Sequence, residues 1–202
     1  MRKLTVLLFA CTFMLAFTAC VEGDTSPGAS DVSCIALQGN SITLDGDGAT
    51  VAGSSVTITS AGTYSISGSL ADGQILVDTT DSENVNIILN GVDISCSTSA
   101  PIHVLNAEKV VITLADGSRN SVKDGNSYSV LDEDSEPNAA IFSKDDLTIK
   151  GSGTLTVDAN YNDGITSKDD LKITGGVISV QAVNDGIRGR DSVEIKGGTI
   201  SV

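Results

Sequence analysis

Residues 162–180 read NDGITSKDDLKITGGVISV, and residues 184–202 read NDGIRGRDSVEIKGGTISV. The phrase returns after twenty-two residues with its isoleucines, its paired glycines and its aspartates in step. Working backwards, the same apolar landmarks recur as Leu147/Ile149 and Leu155/Val157, then more loosely as Ile102/Val104, Val110/Ile112/Leu114 and Val122. The earliest copies are Ile75/Val77, Val85/Ile87/Leu89 and Val92/Ile94. Each landmark pair alternates apolar with polar, the period of a strand with one buried side. A unit of 22 to 27 residues with three short strands and no helical stripe is one rung of a parallel β-helix. A leucine-rich repeat would carry its own leucine signature instead.

At least five such rungs are legible, and their Ile, Val and Leu residues stack into a column that no single rung can bury alone. Gly91, Gly117, Gly151, Gly175 and Gly197 follow the middle strand of successive units, where a corner is expected to need positive φ. Shorter alternating runs at 55–59 and 63–67 read as strands as well. The stretch 125–138, with its acidic run from Asp132 to Glu136, breaks the period and reads as a loop let out of one rung. Asp45-Gly46-Asp47-Gly48 reads as a turn, because the later positions of an EF-hand are missing. The last residue, Val202, directly follows a strand with no polar cap. The expectation is therefore a fragment, truncated at its C-terminal end, or a last rung covered by something else.

Composition narrows the function classes. Arg2 and Lys3 precede an apolar run from Leu4 to Phe17 that is too short for a stable membrane anchor, the pattern of an export signal over residues 1–19. The signal ends in Phe17-Thr18-Ala19-Cys20, which resembles the lipobox of bacterial lipoproteins and marks Cys20 for lipidation. Residues 20–36 then read as a lipidated N-terminus and flexible tether, and 37–202 as the folded domain. Localisation is accordingly at the cell envelope, membrane-anchored only through lipid, with the domain outside the cytoplasm. Removing the signal takes two basic residues and no acid, so a net charge of −14 becomes −16. Such a chain is a poor partner for nucleic acid or an anionic membrane surface. Of the cysteines, Cys34 and Cys96 remain for the domain, either as a disulfide, which an oxidising compartment permits, or as two separately buried thiols.

Aligning the rungs places Asp145, Asp169 and Asp191 in one column and Asp146, Asp170 and Ser192 in the next, while Asp163 and Asp185 form another beside Asn162 and Asn184. Strands about 4.8 Å apart bring such carboxylates close enough to repel. Two things can offset that repulsion. The parallel column Lys144, Lys168 and Arg190 can neutralise the acids while Asp and Asn side chains cap turns. Alternatively Ca²⁺ sits between rungs and draws its oxygen ligands from Asp145, Asp146, Asp163, Asp169, Asp170, Asp185 and Asp191.

GTYSISG (62–68), DGQILVD (72–78), VNIILNGVDI (85–94), API (100–102), AIFSKDDLTIKGSGTLTV (140–157) and the two NDGI rungs together resemble the clostridial-type carbohydrate-binding β-helix proteins, relatives of the polysaccharide lyase fold. The resemblance implies a right-handed parallel β-helix, bound calcium and non-catalytic binding of plant-type polysaccharides such as cellulose or pectin. Only Tyr64, Tyr128 and Tyr161 are available to stack on sugar rings, and packing at rung corners is the simpler use of each. That scarcity favours an acidic glycan such as polygalacturonate over a neutral one. Two alternatives stand beside binding. One is a calcium-dependent, pectate-lyase-like elimination with Arg188, Arg190 or Lys168 as base, although each also reads as a counter-ion. The other is a structural stalk or adhesin. Paired Asp169 and Asp170 make a poor acid and base, since adjacent strand residues face opposite ways. His103, between Ile102 and Val104, is expected to face outward and receives no role.

Overall fold

A computed structural model describes residues 32–129 and 136–202. The signal segment, Cys20 and the acidic run Asp132–Asp134 lie outside the described residues. Among those described there are strands and no helix. The chain opens with β1 (Val32–Gly39), β2 (Ile42–Asp45), β3 (Ala49–Ala52), β4 (Ser55–Ile58), β5 (Gly62–Leu70), β6 (Gln74–Asp78) and β7 (Val85–Cys96). Four strand triplets follow. They are β8 (Ile102–Asn106), β9 (Lys109–Leu114) and β10 (Arg119–Asp124); β11 (Ala139–Ser143), β12 (Asp146–Gly151) and β13 (Thr154–Ala159); β14 (Asp163–Ser167), β15 (Asp170–Ile173) and β16 (Val177–Ala182); and β17 (Ile187–Gly189), β18 (Ser192–Ile195) and β19 (Thr199–Ser201).

Each strand of a triplet pairs in parallel with its counterpart in the next. Ile165 lies opposite Ile187, Leu171 opposite Val193 and Ile178 opposite Ile200. The first strands of the triplets, continued by β6, β4 and β3, form a seven-stranded sheet, while the second and third belong to one twelve-stranded sheet. That larger sheet curls because β7 serves two of its faces. Val85–Leu89 pair with β9, the strand bends at Gly91 with φ 76°, and Asp93–Cys96 pair with β10. Only glycine adopts such a φ without penalty. The corner glycines expected from sequence hold at Gly91, Gly117 and Gly151, but in the last two triplets positive φ falls one residue later, on Gly176 and Gly198. The preceding Gly175 and Gly197 instead lie where a side chain would strike the backbone oxygens of Gly151 and Thr174.

The core consists of columns running through both sheets. Val85, Val110, Leu147, Leu171 and Val193 stand in one, and Ile75, Ile102, Ile141, Ile165 and Ile187 in another. All are buried except the members in β17 and β18, the outermost of each stack. Burying each such side chain contributes roughly 1.5–3 kcal/mol, which favours this register over a one-residue slip that would turn every column outward. A second, smaller cluster of Ala100, Tyr128, Ala139 and Phe142, with Tyr161 against it, sits outside the smaller sheet. It forms because Phe142 alternates with Ile141 and Ser143 and so faces away from the main core. His103 faces the same way, as expected, yet is buried, its ring edge-on to Phe142 at 5.5 Å.

Two expectations from the sequence differ from the structure. Among the described residues β1 already runs from Val32, so residues 32–36 are strand and not tether. Ile35 and Leu37 are buried, and the strand pairs with both β2 and β5. No Cys34–Cys96 disulfide forms, for Cys96 is a free, buried thiol. Cys34 aligns with Ser65, and Ser65 with Ile88, so Cys96 lies eight residues further along and beyond the bend in β7. A disulfide needs its Cα atoms within about 7 Å.

Candidate functional site

The pairing of Leu147 with Leu171 and of Leu171 with Val193 sets Asp145, Asp169 and Asp191 in line, and Asp146, Asp170 and Ser192 beside them. They occupy the corner where the chain passes from the smaller sheet to the larger one. What the carboxylates do there is largely to accept hydrogen bonds between coils. Asp145 Oδ2 accepts from the Ala107 amide at 2.9 Å, Asp146 Oδ1 from the Asp170 amide at 3.3 Å, and Asp170 Oδ1 from the Ser192 hydroxyl at 2.7 Å. Lys109 lies 3.7 Å from Asp146. Burial pushes the Asp145 carboxyl above the ordinary carboxylate range, and the charges of Asp169, Asp146 and Glu108 push it further, against the lowering effect of the Ala107 amide. Asp169 and Asp191 are exposed. The donors are hard oxygens, the kind that Ca²⁺ takes. Their arrangement does not fit a preformed cage, since among the described residues no three acid, histidine or cysteine side chains converge as a metal centre.

Next to this corner, the outer face of β9, β12, β15 and β18 carries a shallow polar groove of about 140 Å³. Lys109, Asp146, Asp170 and Ser192 line one side, and Thr148, Lys172 and Glu194 the other. Thr148, Lys172 and Glu194 are register partners on successive coils, and Glu194 accepts from Lys172 at 3.0 Å and from Lys196 at 2.7 Å. These two ammonium groups hold the Glu194 carboxyl below its usual range. A larger hollow of about 460 Å³, lined by Val180, Ala182, Gly186 and Val202 with Gln181 and Asn184, lies beside the last strands and holds no charged side chain.

Asp163 and Asp185 are neighbours in register but not in role. Asp163 is fully buried; its Oδ1 accepts from the Asp185 amide at 3.1 Å and the Asn184 side chain at 2.9 Å. Its Oδ2 accepts from the Thr166 hydroxyl at 3.3 Å and lies 3.6 Å from Arg188. Asp185 is exposed. The basic column also forms: the amides of Lys144, Lys168 and Arg190 bond to Val104, Ser143 and Ser167 of the preceding coil. Within it, Lys168 pairs with the buried Glu136.

The tyrosines mostly pack. Tyr64 is buried with its hydroxyl donating to the Gly48 and Ser60 carbonyls. Tyr128 stacks on Tyr161 at 4.2 Å and 21°, donating to Asp124 at 2.8 Å and the Ala139 carbonyl at 3.1 Å. Tyr161 alone keeps part of its ring exposed. Asp72 and Asp124, which the sequence reading passed over, act in the same way as Asp163. Asp72, Asp124 and Asp163 each precede a glycine and each accept from an amide of the following coil, those of Ser97, Asn160 and Asp185. The Asp-Gly dipeptide was the available signal. At Gly73, Gly125 and Gly164 a Cβ would meet a backbone oxygen of a neighbouring coil, so glycine lets the coils approach while the aspartate fastens them.

Three comparisons bear on this geometry. Residues 52–202 match the family model described as carbohydrate-binding domain-containing protein. A protein of that description from Acetivibrio thermocellus is 47% identical over 126 residues, which cover 62% of this chain and 44% of the relative, so the match spans less than half of the relative's length. Among solved structures, a polysaccharide lyase-like protein from C. thermocellum, determined as a gadolinium derivative, superposes with a TM-score of 0.78 at 40% identity, covering 84% of this chain and 81% of that one. With three-quarters of its length inside the family model, the chain belongs to the carbohydrate-binding domain-containing protein family.

Proposed function

We propose that this chain is a non-catalytic polysaccharide-binding lipoprotein of the cell envelope, built as a right-handed parallel β-helix and assisted by calcium. The observation that carries the reading is the groove over β9, β12, β15 and β18. Its ammonium, hydroxyl and carboxylate groups recur at each strand spacing of about 4.8 Å, so an extended glycan laid along the coil axis meets donors and acceptors at every step. Glycans of the cellulose or pectin class suit such a track. Export, lipidation at Cys20 and a short tether ahead of Val32 would hold the groove outside the membrane. Calcium would supply positive charge beside Asp145, Asp146, Asp169, Asp170 and Asp191, on a mature chain of net charge −16, where an acidic sugar approaches. The 40% identical neighbour was obtained as a gadolinium derivative, so a protein of this fold takes up a hard cation.

A lyase is the second reading, and Arg188 beside the buried Asp163 is the observation in its favour. Elimination would need a side chain to take the proton beside a uronate carboxylate. Arg188 and Lys168 are both tied to buried carboxylates, however, which is how a cation is anchored. The deciding experiment incubates the protein with immobilised cellulose and polygalacturonate, with calcium and then with chelator. Retention without new unsaturated chain ends is expected. Unsaturated ends would establish the lyase, and neither retention nor cleavage would leave a stalk or adhesin.

A further inference from the structure

Arg188 and Lys168 share an unusual setting. Each is a partly exposed cation paired with a buried carboxylate, Asp163 for Arg188 and Glu136 for Lys168. Asp163 is itself fixed by the Asp185 amide, the Asn184 side chain and the Thr166 hydroxyl, so the oxygen facing Arg188 has little freedom. Buried carboxylates usually satisfy a core need, whereas these two spend a charge on cations whose far sides face solvent. Thr166 pairs with Arg188, and Lys168 lies two residues beyond Thr166, so the two cations are diagonal neighbours whose backbones stand roughly 8 Å apart. Arg190 extends the line, exposed and with no ion pair among the described residues. Asp185, Asp169 and Asp191, all exposed, border the row. Because the bordering acids repel a bare anion, what binds here must also be held elsewhere, as a polymer is.

We propose that Arg188 and Lys168, each anchored by a buried carboxylate, directly recognise an anionic substituent of the bound glycan, without a metal bridge. Asp163 is then a positioning residue and not a metal ligand. The guanidinium offers a planar fork of donors that matches a carboxylate or a sulfate ester, and the ammonium a second point of charge. The inference rests on the polysaccharide reading and adds a charge-reading site on β17 and the corner after β14, made of residues that do not line the groove. It also separates two roles that calcium alone would merge. A metal-bridged contact is lost with chelator, and a direct one is not.

The test measures retention of a polyuronate, a sulfated galactan and a neutral β-glucan by the protein in chelator, at two salt concentrations. Wild type is expected to bind at least one anionic polymer, with an affinity that falls as salt rises. Arg188→Gln should weaken that binding about five- to tenfold, in keeping with the loss of a charge-assisted hydrogen bond, and flatten its salt dependence. Neutral glucan binding should not change. Arg188→Lys, which retains charge but loses the fork, should fall between, and it serves as the second variant if Arg188→Gln does not fold. Asp163→Asn keeps an acceptor for the Asp185 amide and should weaken only the anionic ligands. The carboxylated and sulfated arms tell which anion is read. Equal losses on neutral and anionic polymers, or none in either Arg188 variant, would overturn the proposal. Binding of the neutral polymer alone would overturn it while leaving the groove intact, and binding of no polymer would remove both.

Discussion

Asp145 shows what an aligned carboxylate costs and what it returns. Its folded pKa lies above the unfolded value, first through burial and then through Asp169, Asp146 and Glu108. The folded state therefore holds this proton more tightly than the unfolded chain does. Stability falls as pH rises from the ordinary carboxyl value of 3.8 through the folded pKa. Its return is the bond from the buried Ala107 amide. Asp145→Asn keeps an acceptor for that amide and removes the charge, so in metal-free buffer it should be at least as stable as wild type at pH 7, with the difference closing below about pH 3.8. Asp145→Ala leaves the amide unsatisfied and should lose about 1–3 kcal/mol. Urea unfolding of both variants at pH 7 and pH 3.5 checks the pair, and an Asn variant weaker than wild type at pH 7 would show that the charge itself stabilises. Asp163 teaches the complementary lesson. Its column is visible in the sequence, but its saturation by Asp185, Asn184, Thr166 and Arg188 depends on which groups a turn brings within 3 to 4 Å.

Among the elements, the strands were legible and the corners only partly so. A strand announces itself through alternation, and the stacked landmarks from Ile75 to Val180 are buried where that alternation places them. A corner has no period. Paired glycines such as Gly175-Gly176 look equivalent in sequence, yet one passes close to the neighbouring backbone while the other takes the positive φ. The outer cluster was also hidden, because Tyr128, Phe142 and Tyr161 come from three separate stretches of sequence, with no period to mark them as neighbours. The corners yield a matched prediction. Gly91 has φ 76° with open space where a Cβ would go, whereas at Gly151, with φ 107°, a Cβ would lie 2.2 Å from the Leu114 carbonyl oxygen. Gly91→Ala should cost about 1–2 kcal/mol for the left-handed conformation alone. Gly151→Ala should cost clearly more, since a hydrogen-bonded backbone oxygen must also move. Denaturant midpoints of the two variants decide it, and equal losses would mean that the coils yield at that corner.

On the scale of the whole molecule, a chain of formal net charge −14 sets acids in rows on successive strands. Self-repulsion of this size opposes the compact state. Some of it is met internally, by cations such as Lys109 and Lys172 and by the Ala107 and Asp170 amides, which donate to Asp145 and Asp146. The exposed Asp169 and Asp191 remain for solution ions to meet. Two kinds of ion effect are then separable. General screening depends on ionic strength and is indifferent to the cation, whereas a site on the acid rows stabilises by RT ln(1 + [L]/Kd) and saturates differently for each metal. If calcium occupies the rows, the unfolding midpoint in CaCl2 should exceed that in NaCl of equal ionic strength. The excess should be smaller with Mg²⁺, which sheds its water reluctantly and needs near-octahedral geometry. A site held at one hundred times its Kd contributes about 2.7 kcal/mol. The double variant Asp145→Asn, Asp169→Asn should abolish the excess while retaining the response to NaCl. An identical rise in both salts would assign the acid rows to the fastening of coils, and leave the recognition of sugar to the groove and to Arg188 and Lys168.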